Sequence, residues 1–192
     1  MDETNIDPEP EAGEHGSALG AGRFLLRVLW EVASTVVPAV LIALLVNVFV
    51  VQAITVDGPS MQPNLYYDYR VMVEKITYRF AHGPRRGDVL TFEVEGEETP
   101  LIKRVVALPG ETVEVRDGQV FIDDELLDEP WATQLGGPHY PPTLVPPLHI
   151  FVLGDNRPCS RDSRYFGPVP ADQVLGRAWL VYWPPGQVKW LH

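Results

Sequence analysis

The chain has 192 residues, with 15 basic against 26 acidic side chains, a formal charge of −11 and one cysteine. That length suits one well-cored domain, and the acidic balance excludes the basic face a nucleic-acid binder needs. The single Cys159 excludes an internal disulfide framework or a cysteine-built zinc site.

Mean hydropathy is −0.03, close to zero for so acidic a chain, so one very apolar segment is being averaged with a polar remainder. Asp2, Glu3, Asp7, Glu9, Glu11 and Glu14 all precede the first basic residue, Arg23. Residues 1–27 therefore read as an acidic, disordered tail. From residue 32 to 56 no charged side chain occurs. A helix of that length reaches roughly 37 Å at about 1.5 Å per residue, enough to cross a hydrocarbon core of about 30 Å. Residues 28–56 are expected to form a transmembrane anchor, in which Pro38 and Asn47 mark local bends or polar contacts. A cleaved signal peptide would not begin with an acidic segment or run so long. Arg23 and Arg27 lie just before the span, whereas Arg70 is the first basic residue after it. Positive flanks face the cytoplasm, which puts the N-terminus inside and the residues beyond about 56 outside.

Beyond Asp57 short alternating runs take over. Residues 69–78, 89–94, 101–108, 149–153 and 174–182 each read as a strand. Asp117-Gly118 between two alternating runs is a hairpin signal. The Pro-rich stretch 138–147 reads as a solvated connector. The expected fold is mainly β: a single N-terminal transmembrane helix, then an extracytoplasmic domain, residues 57–192, of strongly bent antiparallel sheets.

His15, His82, His139, His149 and His192 are scattered, which argues against a histidine triad. Cys159 lacks a neighbouring base and reads as a small packed residue. Three polar blocks remain. In DGPSMQP, residues 57–63, Ser60 sits at the crest of a Gly/Pro turn whose backbone N–H groups are free to face a ligand. An ordinary turn serine fits that block equally well. From Ile54 to Ser60 the extended chain reaches only about 20 Å, so Ser60 is expected close to the bilayer surface. In LIKRVVALPGE, residues 101–111, strand alternation puts Lys103 on a face with Leu101, Val105 and Ala107, and Arg104 on the other. A desolvated lysine has a lowered pKa; the bland alternative is an edge lysine snorkelling to water. Lys75, Lys103 and Lys189 are the only lysines, which makes one on an apolar strand notable. GDNRPCSRDSRYFG, residues 154–167, packs acids, arginines and serines densely. It is either a solvated loop with ion pairs or a rigid hydrogen-bonded scaffold.

Together the three blocks resemble the type I signal peptidases, membrane-anchored Ser-Lys serine proteases. SMQPNL, residues 60–65, looks like that family's nucleophile motif SMxPTL. RRGDVLTF with LIKRVVALPGE resembles the block carrying the general-base lysine, and GDNRPCSRDSRYFG is similar to GDNRxxSxDSRxWG. The resemblance implies that Ser60 is the nucleophile and Lys103 the general base. It implies that Ser160 hydrogen-bonds the lysine, that Asp162 and Arg164 pair behind it, and that Asp155 and Arg104 form a second supporting pair. Gly58 stands where some members carry a serine that completes the oxyanion hole, so here backbone N–H groups must serve. Asn64 for Thr, Ala107 for Gly, Glu111 for Asp and Phe166 for Trp are mild departures.

On this resemblance the protein is expected to be an endopeptidase of a bacterial cell membrane, removing signal peptides from secretory preproteins through an acyl-enzyme, with no cofactor and no metal. Small residues in an A-x-A pattern would occupy shallow apolar pockets. Trp183 and Trp190 are candidates for contact with the lipid bilayer, core packing being the alternative. The rival reading is a catalytically idle, membrane-anchored peptide-binding β domain. Its catalytic residues would be free to vary.

Overall fold

The computed structural model describes residues 15–191, which fall into two compact units, Met1–Leu45 and Val46–His192. Helix α1, His15–Phe49, contains Pro38. Leu25–Leu45 within it is 21 residues long and strongly apolar, Arg27 and Glu31 near its start being its only charged residues, with none of it buried in protein. At about 1.5 Å per residue this stretch reaches roughly 30 Å, the thickness of a hydrocarbon core. Around Pro38, which offers no N–H to the preceding turn, Thr35 Oγ1 donates to the Glu31 carbonyl at 2.8 Å and Ser34 Oγ does so at 2.9 Å. Residues 15–27, expected to be disordered, are helical; the first part of the expected tail lies outside the described residues. Asn47 lies in the helix, its side chain outside the described residues.

The strands follow in chain order as β1 (Val51–Thr55), β2 (Arg70–Glu74), β3 (Val89–Phe92), β4 (Leu101–Ala107), β5 (Thr112–Arg116) and β6 (Gln119–Ile122). Then come β7 (Glu125–Leu126), β8 (Tyr140–Leu144), β9 (His149–Leu153), β10 (Val169–Pro170), β11 (Val174–Trp183) and β12 (Lys189–Trp190). Short helices α2 (Thr77–Phe80) and α3 (Ser163–Phe166) interrupt them. The larger sheet runs β1-β2-β11-β3-β4-β9-β10 with β12 on β11, and the smaller runs β7-β6-β5-β8. Register shifts occur between β11 and β2, β11 and β3, and β4 and β9. Such irregularities raise local twist and bend the strands. The mainly β expectation is met, in curled antiparallel sheets.

Three expectations need correcting. The apolar run does not stay helical to residue 56: β1 pairs with β2, Val51 opposite Glu74 and Thr55 opposite Arg70. Hydropathy cannot distinguish apolar strand from apolar helix, and the β-branched Val51, Ile54 and Thr55 favour the strand. The expected strand 69–78 ends at Glu74, whose Oε2 accepts from the N–H groups of Ile76 at 3.1 Å and Thr77 at 2.9 Å and so starts α2. The Pro-rich stretch contains β8, paired with β5 through Val113 opposite Thr143. Its position at a sheet edge tolerates Pro141 and Pro142, which cannot donate to a ladder. The hairpin forms as expected, with Asp117 at φ 52° and Gly118 at φ 79°, as a primed turn requires.

Packing explains why β4 reads as a nearly continuous apolar run. Val105 joins Leu90, Phe92, Ile150 and Val152 in one core cluster, while Val106 and Ala107 join Val113, Phe151 and Leu153 in another. A strand with a core on each face has no solvent side to alternate toward. A third cluster takes Met61 and Leu65, both fully buried, against Val56, Val71 and Val89. At Gly176 a Cβ would lie 2.3 Å from the Glu74 carbonyl oxygen of β2, so β11 approaches its neighbour only without a side chain. Gly176→Ala is expected to destabilise the domain by about 1–3 kcal/mol, the usual cost of overpacking. An unchanged denaturant midpoint in the purified protein would contradict this packing.

Candidate active site

Ser60 is held by its neighbours on both sides. Met61 and Leu65 anchor the turn in the core, and Leu65 N–H donates to the Met61 carbonyl at 2.8 Å. From the third polar block, Asn156 N–H donates to the Ser60 carbonyl at 3.0 Å. Asn156 Nδ2 donates to the Pro59 carbonyl at 3.1 Å. Gly154 makes this approach possible: a Cβ there would meet the Ser60 carbonyl at 2.4 Å and Ser160 Oγ at 2.3 Å.

Lys103 lies opposite Leu90 of β3 and is 3% exposed, so it does not snorkel. Its Nζ sits 3.0 Å from Ser60 Oγ and donates to the Ile102 carbonyl at 2.9 Å. Burial lowers its pKa from 10.5 to about 8, against the opposing pull of the Asp162, Glu97 and Asp155 carboxylates. An amine in that range is a usable base near neutral pH.

The supporting residues form a buried ionic frame. Arg164 grips Asp162 through both oxygens, Nε to Oδ1 at 2.8 Å and Nη2 to Oδ2 at 2.8 Å, and neither side chain is exposed. Asp162 also accepts from Gly154 N–H at 3.1 Å, tying the pair to the glycine that backs Ser60. Arg104 grips Asp155 likewise, Nε to Oδ1 at 2.9 Å and Nη2 to Oδ2 at 2.8 Å. Ser160 is buried, but its Oγ has no hydrogen-bond partner among the described residues. The bond to Lys103 that the resemblance implies is therefore not made. Lys103 spends a donor on its own strand at Ile102 instead. Gly58 has φ +127° and open space where a Cβ would stand, so a side chain there meets strain rather than a clash. Cys159, expected to pack, is exposed. Tyr78 donates to Asp88 Oδ2 at 2.8 Å, and burial followed by the Asp88 charge pushes its pKa up, keeping the phenol protonated.

Sequence reasoning missed several residues of this frame. Arg157 is 1% exposed and donates to the carbonyls of Gly154 and Gly118, each at 3.0 Å. It also pairs with Glu129 at 2.5 Å. The density of arginines in the third block was a usable signal for Arg157; nothing local pointed to Glu129. Asn64 Nδ2 donates to Asp155 Oδ2 at 2.7 Å, so this departure from the motif extends the frame.

Residues 29–183 match the family described as signal peptidase, peptidase S26. The chain belongs to that family. It is 37% identical over 164 residues to the probable signal peptidase I-2 of Synechocystis sp., covering 82% of this chain and 75% of that one. With signal peptidase I of Leptolyngbya laminosa identity is 39% over 164 residues, covering 81% and 80%. Thylakoidal processing peptidase 1, chloroplastic, of Arabidopsis thaliana is 34% identical over 194 residues, 95% of this chain and 56% of that one. Membership in peptidase S26 makes the protein a serine endopeptidase.

The lysine has a thermodynamic signature. Its folded pKa lies below its ordinary 10.5, so stability is full above that pH and falls as pH drops toward about 8. Below that pH the penalty levels off at about 3 kcal/mol. Lys103→Met is thus expected to be more stable than wild type at pH 7, with the gap closing as pH approaches 10.5. Denaturant unfolding at several pH values checks this, and a gap independent of pH would contradict it.

Proposed function

We propose that the protein removes N-terminal signal peptides from exported preproteins with Ser60 as nucleophile and Lys103 as general base. The observation that carries this reading is the 3.0 Å separation of the buried Lys103 amine from the Ser60 hydroxyl. It favours an enzyme over an idle peptide-binding domain. The names of the relatives, signal peptidase I and thylakoidal processing peptidase, support the same substrate class.

A serine hydroxyl attacks poorly until a base takes its proton. With a pKa of about 8, Lys103 is neutral in about one molecule in ten at pH 7, against fewer than one in a thousand for an ordinary lysine. Neutral Nζ takes the Ser60 proton as Oγ attacks the scissile carbonyl. The tetrahedral oxyanion is met by backbone N–H groups, that of Ser60 among them, since Gly58 has no hydroxyl to offer. The lysinium then protonates the leaving amine, and a water deprotonated by the same amine hydrolyses the ester at Ser60. These steps use two side chains and water, with no metal or organic cofactor. Asp162–Arg164 and Asp155–Arg104 keep the frame behind the dyad rigid, and Ser160 lines it.

The segment within α1 anchors the chain in the membrane, N-terminus cytoplasmic, and residues after it act on the outer face. A secretory signal peptide presents small residues just beyond its own apolar segment. An extended substrate of that kind pairs with a strand edge while its small side chains enter shallow pockets. Trp183 and Trp190, 43% and 60% exposed, support contact with the lipid interface rather than core packing.

Ser60→Ala and Lys103→Ala are each expected to cut cleavage of an A-x-A preprotein by about a thousandfold or more while the domain stays folded. Normal processing by either folded variant sinks the dyad. The neutral amine is the active form, so kcat/KM should fall as pH drops through about 8. An acid limb near 10 would show an ordinary lysine. Protease added outside intact cells should digest the β domain; protection of that domain there would reverse the orientation.

A further inference from the structure

Residues 129–137, between β7 and β8, belong to no strand of either sheet, yet they touch every arginine of the buried frame. Glu129 pairs with Arg157 at 2.5 Å. The Trp131 ring lies against the Arg104 guanidinium, 4.9 Å from its centroid. The Gln134 carbonyl accepts from Arg157 N–H at 3.2 Å, and Gln134 bridges to Asn156 beside it. The Gly136 carbonyl accepts from Arg164 Nη1 at 3.1 Å. At Gly137, φ +89°, a Cβ would sit 2.4 Å from that same Nη1. A connector shaped only by solvent would not meet three buried cations in nine residues.

Trp131 is the centre of this strap. A Cβ built on Gly87 would lie 3.7 Å from its ring, and φ +91° would strain any side chain there. The Gly87 carbonyl in turn accepts from Arg104 Nη1 at 2.7 Å. Asn64 Nδ2, four residues from the nucleophile, donates both to the Trp131 carbonyl at 3.0 Å and to Asp155 Oδ2 at 2.7 Å. The Ser60 turn, the Arg104–Asp155 pair and the strap therefore meet at one junction. Arg104 follows Lys103 on β4, and its bonds to Asp155 and to the Gly87 carbonyl fix the stretch of strand that carries the base.

We propose that the strap is part of the catalytic apparatus, with Trp131 a positioning residue that clamps Arg104 on Asp155 and thereby holds the Lys103–Ser60 pair in register. This rests on the dyad reading above. The ring supplies a cation–π contact and excludes water from the ion pair. Bidentate geometry is worth most when the guanidinium cannot swing. The charges acting on Lys103 are Asp162, Asp155 and Glu97, all of which favour its protonated form; β3 contributes none at Leu90, its register partner. An Arg104 freed from Asp155 leaves that carboxylate less neutralised, so the base holds its proton more tightly.

The test uses the full chain in detergent with a synthetic A-x-A peptide, comparing wild type, Lys103→Ala, Trp131→Ala, Trp131→Phe and Asn64→Ala. Trp131→Ala is expected to lower kcat on the order of tenfold to a hundredfold. KM should stay near the wild-type value, and the acid limb of the pH profile should move up. Trp131→Phe, which keeps a ring over Arg104, should recover most of kcat and the original limb. A folded Trp131→Ala with wild-type kcat and pH limb overturns the proposal. So does a Phe variant as slow as Ala with an unmoved limb, which marks mere packing. If Trp131→Ala fails to fold, Asn64→Ala carries the same readouts, and wild-type kcat there is equally fatal. Wild type no faster than Lys103→Ala would instead overturn the dyad, and this inference with it.

Discussion

An ammonium group removed from water tends to give up its proton, and the surroundings of Lys103 are arranged around that tendency. Burial alone lowers its pKa, but three carboxylates, Asp162, Glu97 and Asp155, pull the other way. Each of them has an arginine partner. Arg164 holds Asp162, Arg104 holds Asp155, and Arg161 holds Glu97 at 2.8 Å. Arginine suits this task because its guanidinium stays charged and matches a carboxylate bidentately, where lysine would itself titrate. The acids can then act as hydrogen-bond acceptors for Gly154 and Asn64 without returning the proton to the base. A composition of three lysines among 15 basic residues is consistent with that division of labour.

The second constraint is closeness. The proton transfer proposed between Ser60 and Lys103 requires the turn and the strand to meet within a hydrogen bond, and several local choices serve that end. Met61 and Leu65 sink the turn into the core. Gly154 lets the third block press against the Ser60 carbonyl. Asn156 then ties the main chain of that turn from two donors. Reacting groups preset in this way need little reorganisation when charge develops.

Much of this was legible in the sequence because its signals are local. Asp117-Gly118 demands a primed turn, residues 174–182 read as a strand and fall within β11, and Lys103 stands out on an apolar strand. What escaped depended on distant partners. Val51–Thr55 looks like more of the apolar helix until β2 is found beside it. Pro141 and Pro142 look like a loop until β8 proves to be an edge. Glu129 carries no mark in its own neighbourhood, since its reason for being there is Arg157, 28 residues on. The Ser160 hydroxyl shows the reverse case: a motif position implied a bond that the packing around Lys103 does not make.

The frame also has an energetic logic. Buried ion pairs often add little net stability over apolar side chains, because desolvation consumes most of the attraction. The buried lysine is an outright penalty near neutral pH, about 3 kcal/mol against a total stability of about 5–15 kcal/mol for an ordinary domain. A domain selected for stability alone would fill these positions with Leu and Val, as β4 does at Val105 and Val106. The compensation lies in the core clusters that bury β4 on both faces and in the hydrogen bonds that saturate Asp162 and Arg164. Charges are retained where packing alone would remove them because a base that is half neutral near pH 8 exists only in a setting that resists its protonated form.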